Sequence, residues 1–256
     1  MHSFADYAQY YDLFYRGKDY AAEAAFVLGL LRERNPSVKS ILELGCGTGG
    51  HAVHFAEAGC EVLGVDLSER MVERARERFR SMPNDLQGRF HGMQGDASDF
   101  TSPQKVDAVV SLFHVASYQT SNEALLGFFR SACSALEPGG LFFFDFWYGP
   151  AVLSDPPLVK VRSEKADDGT EVVRHTKPIL KEEENVVEVN FSFLLRGDSR
   201  ESRFEEQHRM RYLFVPEISL LARDTGLQLE TASQWMTSAP LGKDTWYGCA
   251  LLRKLP

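Results

Sequence analysis

Three glycines, Gly45, Gly47 and Gly50, stand between two apolar stretches, with a carboxylate on either side of them. Glu43 lies two residues before the first glycine, in Ser40-Ile41-Leu42-Glu43-Leu44, and Asp66 closes the next apolar run, Glu61-Val62-Leu63-Gly64-Val65-Asp66. A strand, a tight glycine loop and a helix in this order form the wiring of a nucleotide-type cofactor site. Glycine lacks a Cβ and tolerates positive φ, so the backbone can come close to a ligand. A carboxylate about 20 residues beyond the loop can accept hydrogen bonds from ribose hydroxyls. A glycine turn can also be plain punctuation between strand and helix, and the second acid argues against that.

Two ligands fit such a loop. Gly45, Gly47 and Gly50 satisfy the G-x-G-x-x-G spacing of NAD-binding proteins. Three details favour S-adenosylmethionine (SAM). Glu43 can approach a cationic group and would repel a pyrophosphate. Arg89 to Gln94 reads as a strand running into Gly95-Asp96-Ala97, where a strand-end Asp can accept an adenine amino group. The strand Val106 to Phe113 ends in apolar residues, Leu112 among them, that can cover a base. With its ELGCGTG loop, the chain resembles the class I SAM-dependent methyltransferases. That resemblance implies that Gly45, Cys46 and Gly47 pass along the methionine part, that Asp66 holds the ribose, and that Asp96 with Ala97 reads the adenine. Leu67, Met71 and Leu112 complete the expected cofactor set, with S-adenosylhomocysteine as product.

Methyl transfer from a sulfonium needs alignment, exclusion of water and removal of one proton from a protonated acceptor. The stretch Tyr10-Tyr11-Asp12-Leu13-Phe14-Tyr15-Arg16-Gly17 through Ala24 resembles the N-terminus of the nucleotide-sugar N,N-dimethyltransferases, which methylate an amino sugar on a nucleoside diphosphate. Ser111 to Tyr118 and Glu206 to Phe214 resemble the same group. By this resemblance Tyr11 helps enclose the reacting methyl, and Tyr118 sits beside the acceptor nitrogen. Tyr11 is equally readable as one more core aromatic beside Tyr7 and Phe14. The chain departs from the group in having Phe144-Asp145-Phe146-Trp147-Tyr148 where Glu-Pro-Trp-Trp is usual, and His114 where small serines are usual. His114, just past a strand end at the mouth of the sheet, can take a proton near neutral pH or be satisfied by a carbonyl. Trp147 and Tyr148 can stack on a sugar or base, or anchor the next segment. His208 and Arg209 are adjacent on a strand, so they face opposite ways. Arg209 is the candidate anion ligand, and Arg211 is the more readily solvated of the two arginines. His51, His54, His91 and His175 are assigned no chemistry, and no His/Asp/Glu group has metal-ligand spacing.

The elements that must carry these residues follow from periodicity. Asp19 caps a helix over about 20–34, and Ser68 caps one over about 68–82. Strands are expected near 40–44, 61–66, 89–94, 106–112 and 141–146, and further helices near 50–58 and 122–136. The alternation predicts an α/β fold: a seven-stranded Rossmann-like sheet with helices on both faces. From about 158 to 214 the period changes to two, with Val187, Val189, Phe191 and Phe193 on one face. That predicts an inserted antiparallel β-sheet of about four strands. The expected organisation is 1–150 for the N-terminal helices and SAM-binding core, 151–215 for the insertion, as a substrate lid or dimer element, and 216–256 for a last helix and two core strands.

At 256 residues the chain suits one large domain with an insertion, and its net charge of −8 disfavours a nucleic-acid polymer as partner. No signal peptide or membrane span is legible, and four scattered cysteines suit a reduced, cytoplasmic setting. The expected partner is a small-molecule acceptor, a nucleotide sugar in the leading reading, with homodimer formation left open. The rivals are methylation of another small metabolite or glycan sugar, an NAD-dependent oxidoreductase, and a non-catalytic SAM-binding protein.

Overall fold

The computed structural model describes residues 13–197 and 201–256; the Tyr11 expectation lies outside them. Helix α1 (Tyr20–Arg34) starts where Asp19 accepts the Ala22 N–H at 2.9 Å. A strand–helix alternation follows: β1 (Ser40–Leu44), α2 (Gly50–Glu57), β2 (Glu61–Asp66), α3 (Glu69–Arg80), the short α4 (Asn84–Gln87), β3 (Phe90–Gln94) and β4 (Val106–Ser111). A 3₁₀ turn (Val115–Tyr118), α5 (Asn122–Ala135) and β5 (Leu136–Tyr148) complete this half. The β5 strand is longer than expected. Glu137-Pro138-Gly139-Gly140 lies inside it as an irregularity, where Gly139 has φ +77° and the register against β4 shifts.

Strands β1 to β5 are parallel in the order β3-β2-β1-β4-β5. After α7 (Val215–Asp224), β10 (Leu227–Gln234) and β11 (Tyr247–Lys254) return, and β11 pairs antiparallel with β5. These seven strands form the expected Rossmann-like sheet. One buried cluster, with Phe128, Phe129, Phe142 and Phe144, fills the face under α5 and α7. The other, with Leu31, Ile41, Phe55 and Phe143, fills the face under α1, α2 and α3.

Between β5 and α7 come the short α6 (Gly149–Ser154) and four antiparallel strands, β6 (Lys160–Lys165), β7 (Glu171–Lys181), β8 (Val186–Arg196) and β9 (Glu201–Leu213). They are continuous with the main sheet, because β9 runs parallel to the end of β5 through Trp147–Tyr212 and Tyr148–Leu213. The period-two pattern has its expected result: Val187, Val189 and Phe193 are buried. Leu13 and Phe14 pack on this insertion against Val172 and Phe193, and Tyr15 meets Phe113 at 4.8 Å. The N-terminal segment and the insertion therefore meet next to the C-terminal end of β4.

Candidate active site

The glycine loop follows β1. Gly45 and Cys46 donate their N–H groups to the Val65 carbonyl at 2.7 and 2.9 Å, which ties the loop to β2. Gly45 has φ +79°, and a Cβ there would stand 2.3 Å from Val115 Cγ2, so the 3₁₀ turn after β4 lies directly on the loop. Gly47 also has positive φ, with open space where a Cβ would be. A pocket is lined by Tyr20, Gly45, Cys46, Gly47, Thr48, Gly50, His51, Leu112 and Phe113.

The carboxylates are set as a cofactor site needs them. Asp66 accepts Gly47 N–H and Ser68 N–H, both at 2.9 Å, one on each oxygen. Burial raises its pKa, against the pull of those two bonds. Glu43 is buried, and its Oε2 has no hydrogen-bond partner among the described residues. Burial, then the nearby charge of Asp66, pushes it up to about 8. An orphaned buried carboxyl oxygen over an open glycine loop fits a cationic ligand end. Asp96 accepts Ser98 N–H and Oγ–H at 2.8 and 2.7 Å through one oxygen. Leu67 is exposed at the lip, and Ala97 is partly buried against the core. Met71 is buried on α3. Burial raises the Cys46 thiol far above its ordinary value, which leaves it a packing residue.

His51, given no chemistry above, belongs to this site. Its Nε2 lies 2.7 Å from Glu23 Oε2, its Nδ1 lies 3.7 Å from Glu43, and Glu23 also pairs with Lys18. Burial lowers the His51 pKa, opposed by Glu23. In the sequence, only its place at the start of the helix after the glycine loop pointed to it.

Beyond the loop, two consecutive residues, Phe113 and His114, sit in the left-handed region at φ 65° and 63°. Such strain in non-glycine residues costs of order 1–3 kcal/mol each and needs a tether. Asp145, buried on β5, is that tether. Its Oδ1 accepts His114 N–H at 2.9 Å and its Oδ2 lies 2.7 Å from His114 Nδ1. Burial pushes the Asp145 carboxyl up, but the His114 charge and bonds outweigh it and hold it below the usual range. With Nδ1 facing the carboxylate, Nε2 is the ring nitrogen turned away from Asp145. That atom has no hydrogen-bond partner among the described residues. The ring stacks on Tyr247 at 4.8 Å. Asp145 was visible in the sequence only as an interruption of an aromatic run.

Tyr118 ends the 3₁₀ turn. Its hydroxyl lies 2.7 Å from His208 Nδ1, whose Nε2 lies 3.1 Å from Glu206 Oε2. Burial, followed by Tyr15, Glu206 and Asp66, holds the phenol far above the ordinary tyrosine range. His208 thus points inward, as strand alternation demands. Arg209 points the other way and is paired with Glu184 and Glu188. The expected anion site at Arg209 is therefore not formed. Nor is Arg211 the solvated arginine: it is buried, with Nη2 2.8 Å from Asn122 Oδ1 and 2.5 Å from Glu217 Oε1. A crevice of about 450 Å³ beside it carries Glu183 and Glu184, which oppose a diphosphate there.

Trp147 and Tyr148 separate in the same way. Trp147 packs with the insertion cluster, 5.5 Å from Trp246 and 6.3 Å from His114, and its buried Nε1 has no hydrogen-bond partner among the described residues. Tyr148 faces the opposite cluster, with Phe146, which matches the anchoring alternative.

Together, the parallel sheet with its reversed last strand, the glycine loop and the paired acids define a SAM-dependent methyltransferase. A methyltransferase-domain family model matches residues 41–140. A dTDP-3-amino-3,4,6-trideoxy-α-D-glucopyranose N,N-dimethyltransferase of Streptomyces venezuelae is 32% identical over 95% of this chain and 97% of its own length. The chain belongs to the SAM-dependent methyltransferase family that includes this enzyme. The sugar N-methyltransferase KedS8 from Streptoalloteichus sp. ATCC 53650 superposes with a TM-score of 0.80 at 25% identity, over 96% of this chain and 93% of KedS8. A SAM-dependent methyltransferase of Clostridium acetobutylicum ATCC 824 shares the fold, with a TM-score of 0.82 at 23% identity over 99% of each chain. No helix among the described residues is long and apolar enough to cross a membrane.

Proposed function

We propose that this enzyme methylates the amino group of a nucleotide-linked deoxysugar. One observation carries the reading: a single short turn, packed on the glycine loop, brings His114 Nε2 and the Tyr118 oxygen to the mouth of the sheet. Two hydrogen-bond acceptors suit a group that arrives bearing N–H protons. The unpartnered Trp147 Nε1 adds one donor for a sugar oxygen. The Streptomyces venezuelae relative, similar over nearly the whole chain, supports the same class of acceptor.

When bound, SAM supplies an activated methyl on a sulfonium with a good leaving group. The residues that would hold it are Glu43 at the cationic end, Gly45 to Gly47 along the chain, Asp66 at the ribose, and Asp96, Ala97, Leu67 and Leu112 around the base. The chain's own work is to orient an amine lone pair, exclude water and accept a proton. Asp145 orients His114, which with Tyr118 and Trp147 positions the acceptor, and the insertion roofs the cleft through β9. Four free cysteines, among the described residues, suit a cytoplasmic enzyme.

Transfer to a sugar hydroxyl is the second reading. It draws on the His114–Asp145 couple, a base that an already neutral amine does not need. The test is transfer from labelled SAM to a dTDP-amino sugar and to its hydroxy counterpart. Faster labelling of the amine is expected, and labelling of the hydroxy sugar alone would overturn the leading reading.

A further inference from the structure

We infer that Glu206, through His208, fixes Tyr118 as a hydrogen-bond acceptor toward the methyl acceptor and gives that acceptor's proton a path out of the cleft. The inference rests on the amine reading above and adds two residues of the insertion to the reaction.

Both ring nitrogens of His208 are engaged. Nε2 faces Glu206 Oε2 at 3.1 Å and Nδ1 faces the Tyr118 hydroxyl at 2.7 Å. The Glu206 and His208 side chains are nearly fully buried, and the imidazole lies edge-on to Phe191 at 5.0 Å. A carboxylate accepts only, so Nε2 carries the proton toward Glu206. Nδ1 is then the acceptor, and the Tyr118 O–H must donate to it. The phenol oxygen turns its lone pairs toward whatever else it meets. A group bonded there has to be a donor: an ammonium, an amine N–H or a hydroxyl. An ether, a carbonyl or a tertiary amine without a proton is refused.

The same order of groups moves a proton. An ammonium N–H gives its proton to the Tyr118 oxygen while the phenol's own proton passes to His208 Nδ1. The N–H electron pair stays on nitrogen as the lone pair that attacks the methyl. The imidazolium is held against the Glu206 carboxylate, and once the product has left, itself an ammonium, the proton passes back through Tyr118 to solvent. Burial keeps Tyr118 from remaining a phenolate, so it passes charge without storing it. The charged and titratable groups around this path are Tyr15, Asp66 and Glu206, with Arg174 of β7 over the Phe191 ring. The site joins two regions of the fold. Tyr118 belongs to the turn after β4, whereas His208 and Glu206 stand two residues apart on β9, on one face.

The test is kcat/KM against pH for the wild type, Glu206→Gln and Tyr118→Phe, with dTDP-3-amino-3,4,6-trideoxy-α-D-glucopyranose as acceptor and SAM affinity measured alongside. Each variant should lose roughly 10-fold or more near pH 7, at the low end of general acid–base effects. The loss should shrink as pH passes the amine's own pKa, where no proton needs removing, with SAM affinity unchanged. A loss equal at all pH values, or none, overturns the relay. A wild type that binds SAM but does not methylate this acceptor at any pH overturns the amine reading, and the relay with it. Tyr118→Phe, at a partly exposed ring, keeps the test decisive if Glu206→Gln folds poorly.

Discussion

Two histidine–carboxylate couples in the cleft, His114–Asp145 and His208–Glu206, have the same parts and opposite wiring. His114–Asp145 is built within the core. Its carboxylate takes both the backbone N–H and Nδ1, which fixes a strained backbone and leaves Nε2 for a ligand. His208–Glu206 is built on the insertion, and neither ring nitrogen is left over, because Tyr118 occupies the second. The first histidine can touch an acceptor, whereas the second acts through Tyr118. A histidine's role follows from what its second nitrogen meets.

The largest effect expected is on turnover. His114→Ala or Tyr118→Phe alone should slow single-turnover methylation of an amine at pH 7 by less than about 10²-fold, and the double variant by 10²–10⁴-fold. His208→Ala added to Tyr118→Phe should change little more, since both sit on one path. Strict multiplication of the His208 and Tyr118 effects would show that the two couples are not wired differently.

Glu43 extends the contrast to a carboxyl that faces a histidine, His51, only at 3.7 Å. Its folded pKa near 8 stands above its ordinary 4.5, so the folded state binds the extra proton in between. Stability without SAM is therefore fully present below about pH 4.5 and is lost as pH rises through about 8. Glu43→Gln should remove this fall, worth on the order of a few kcal/mol at one and a third per unit. Urea unfolding at pH 5 and 8 measures it. An unchanged slope would mean the carboxyl has a partner in solution.

Asp145→Ala should cost about 3 kcal/mol in the same assay, for the lost backbone bond and the lost close pairing with His114, less the strain that the freed backbone gives back. Glu206→Ala should cost less; equal costs would remove the tether role from Asp145. The smallest effect is at the outward face of β9. Arg209→Lys alters an exposed ion pair worth no more than about 1 kcal/mol. It should leave acceptor KM unchanged at low and high salt. A KM that rises would return Arg209 to the cleft.

Legibility followed the range of the interaction. Asp19 and Ser68 were readable as caps because a cap is made within three residues. The glycine loop and its acids were readable because strand, loop and helix are consecutive. The β9 alternation separated His208 from Arg209 correctly, but it could not say which face the cleft was on. Arg211 was misjudged for that reason: its partners, Asn122 and Glu217, lie on α5 and α7. Tyr247 had no signal at all, since its contact with His114 spans more than a hundred residues.

By itself, then, the sequence determined the cofactor half: the element order, the loop, and the carboxylates at its two strand ends. Those depend on local backbone geometry and on hydrophobic periods that neighbouring residues impose. Only the tertiary structure decided the acceptor half. Asp145 reaches His114 across paired strands, and the insertion brings Glu206 and His208 to Tyr118 from ninety residues away. Which polar groups meet there, and which nitrogen is left over, depends on side chains packed across distant elements. No spacing along the chain encodes that contact.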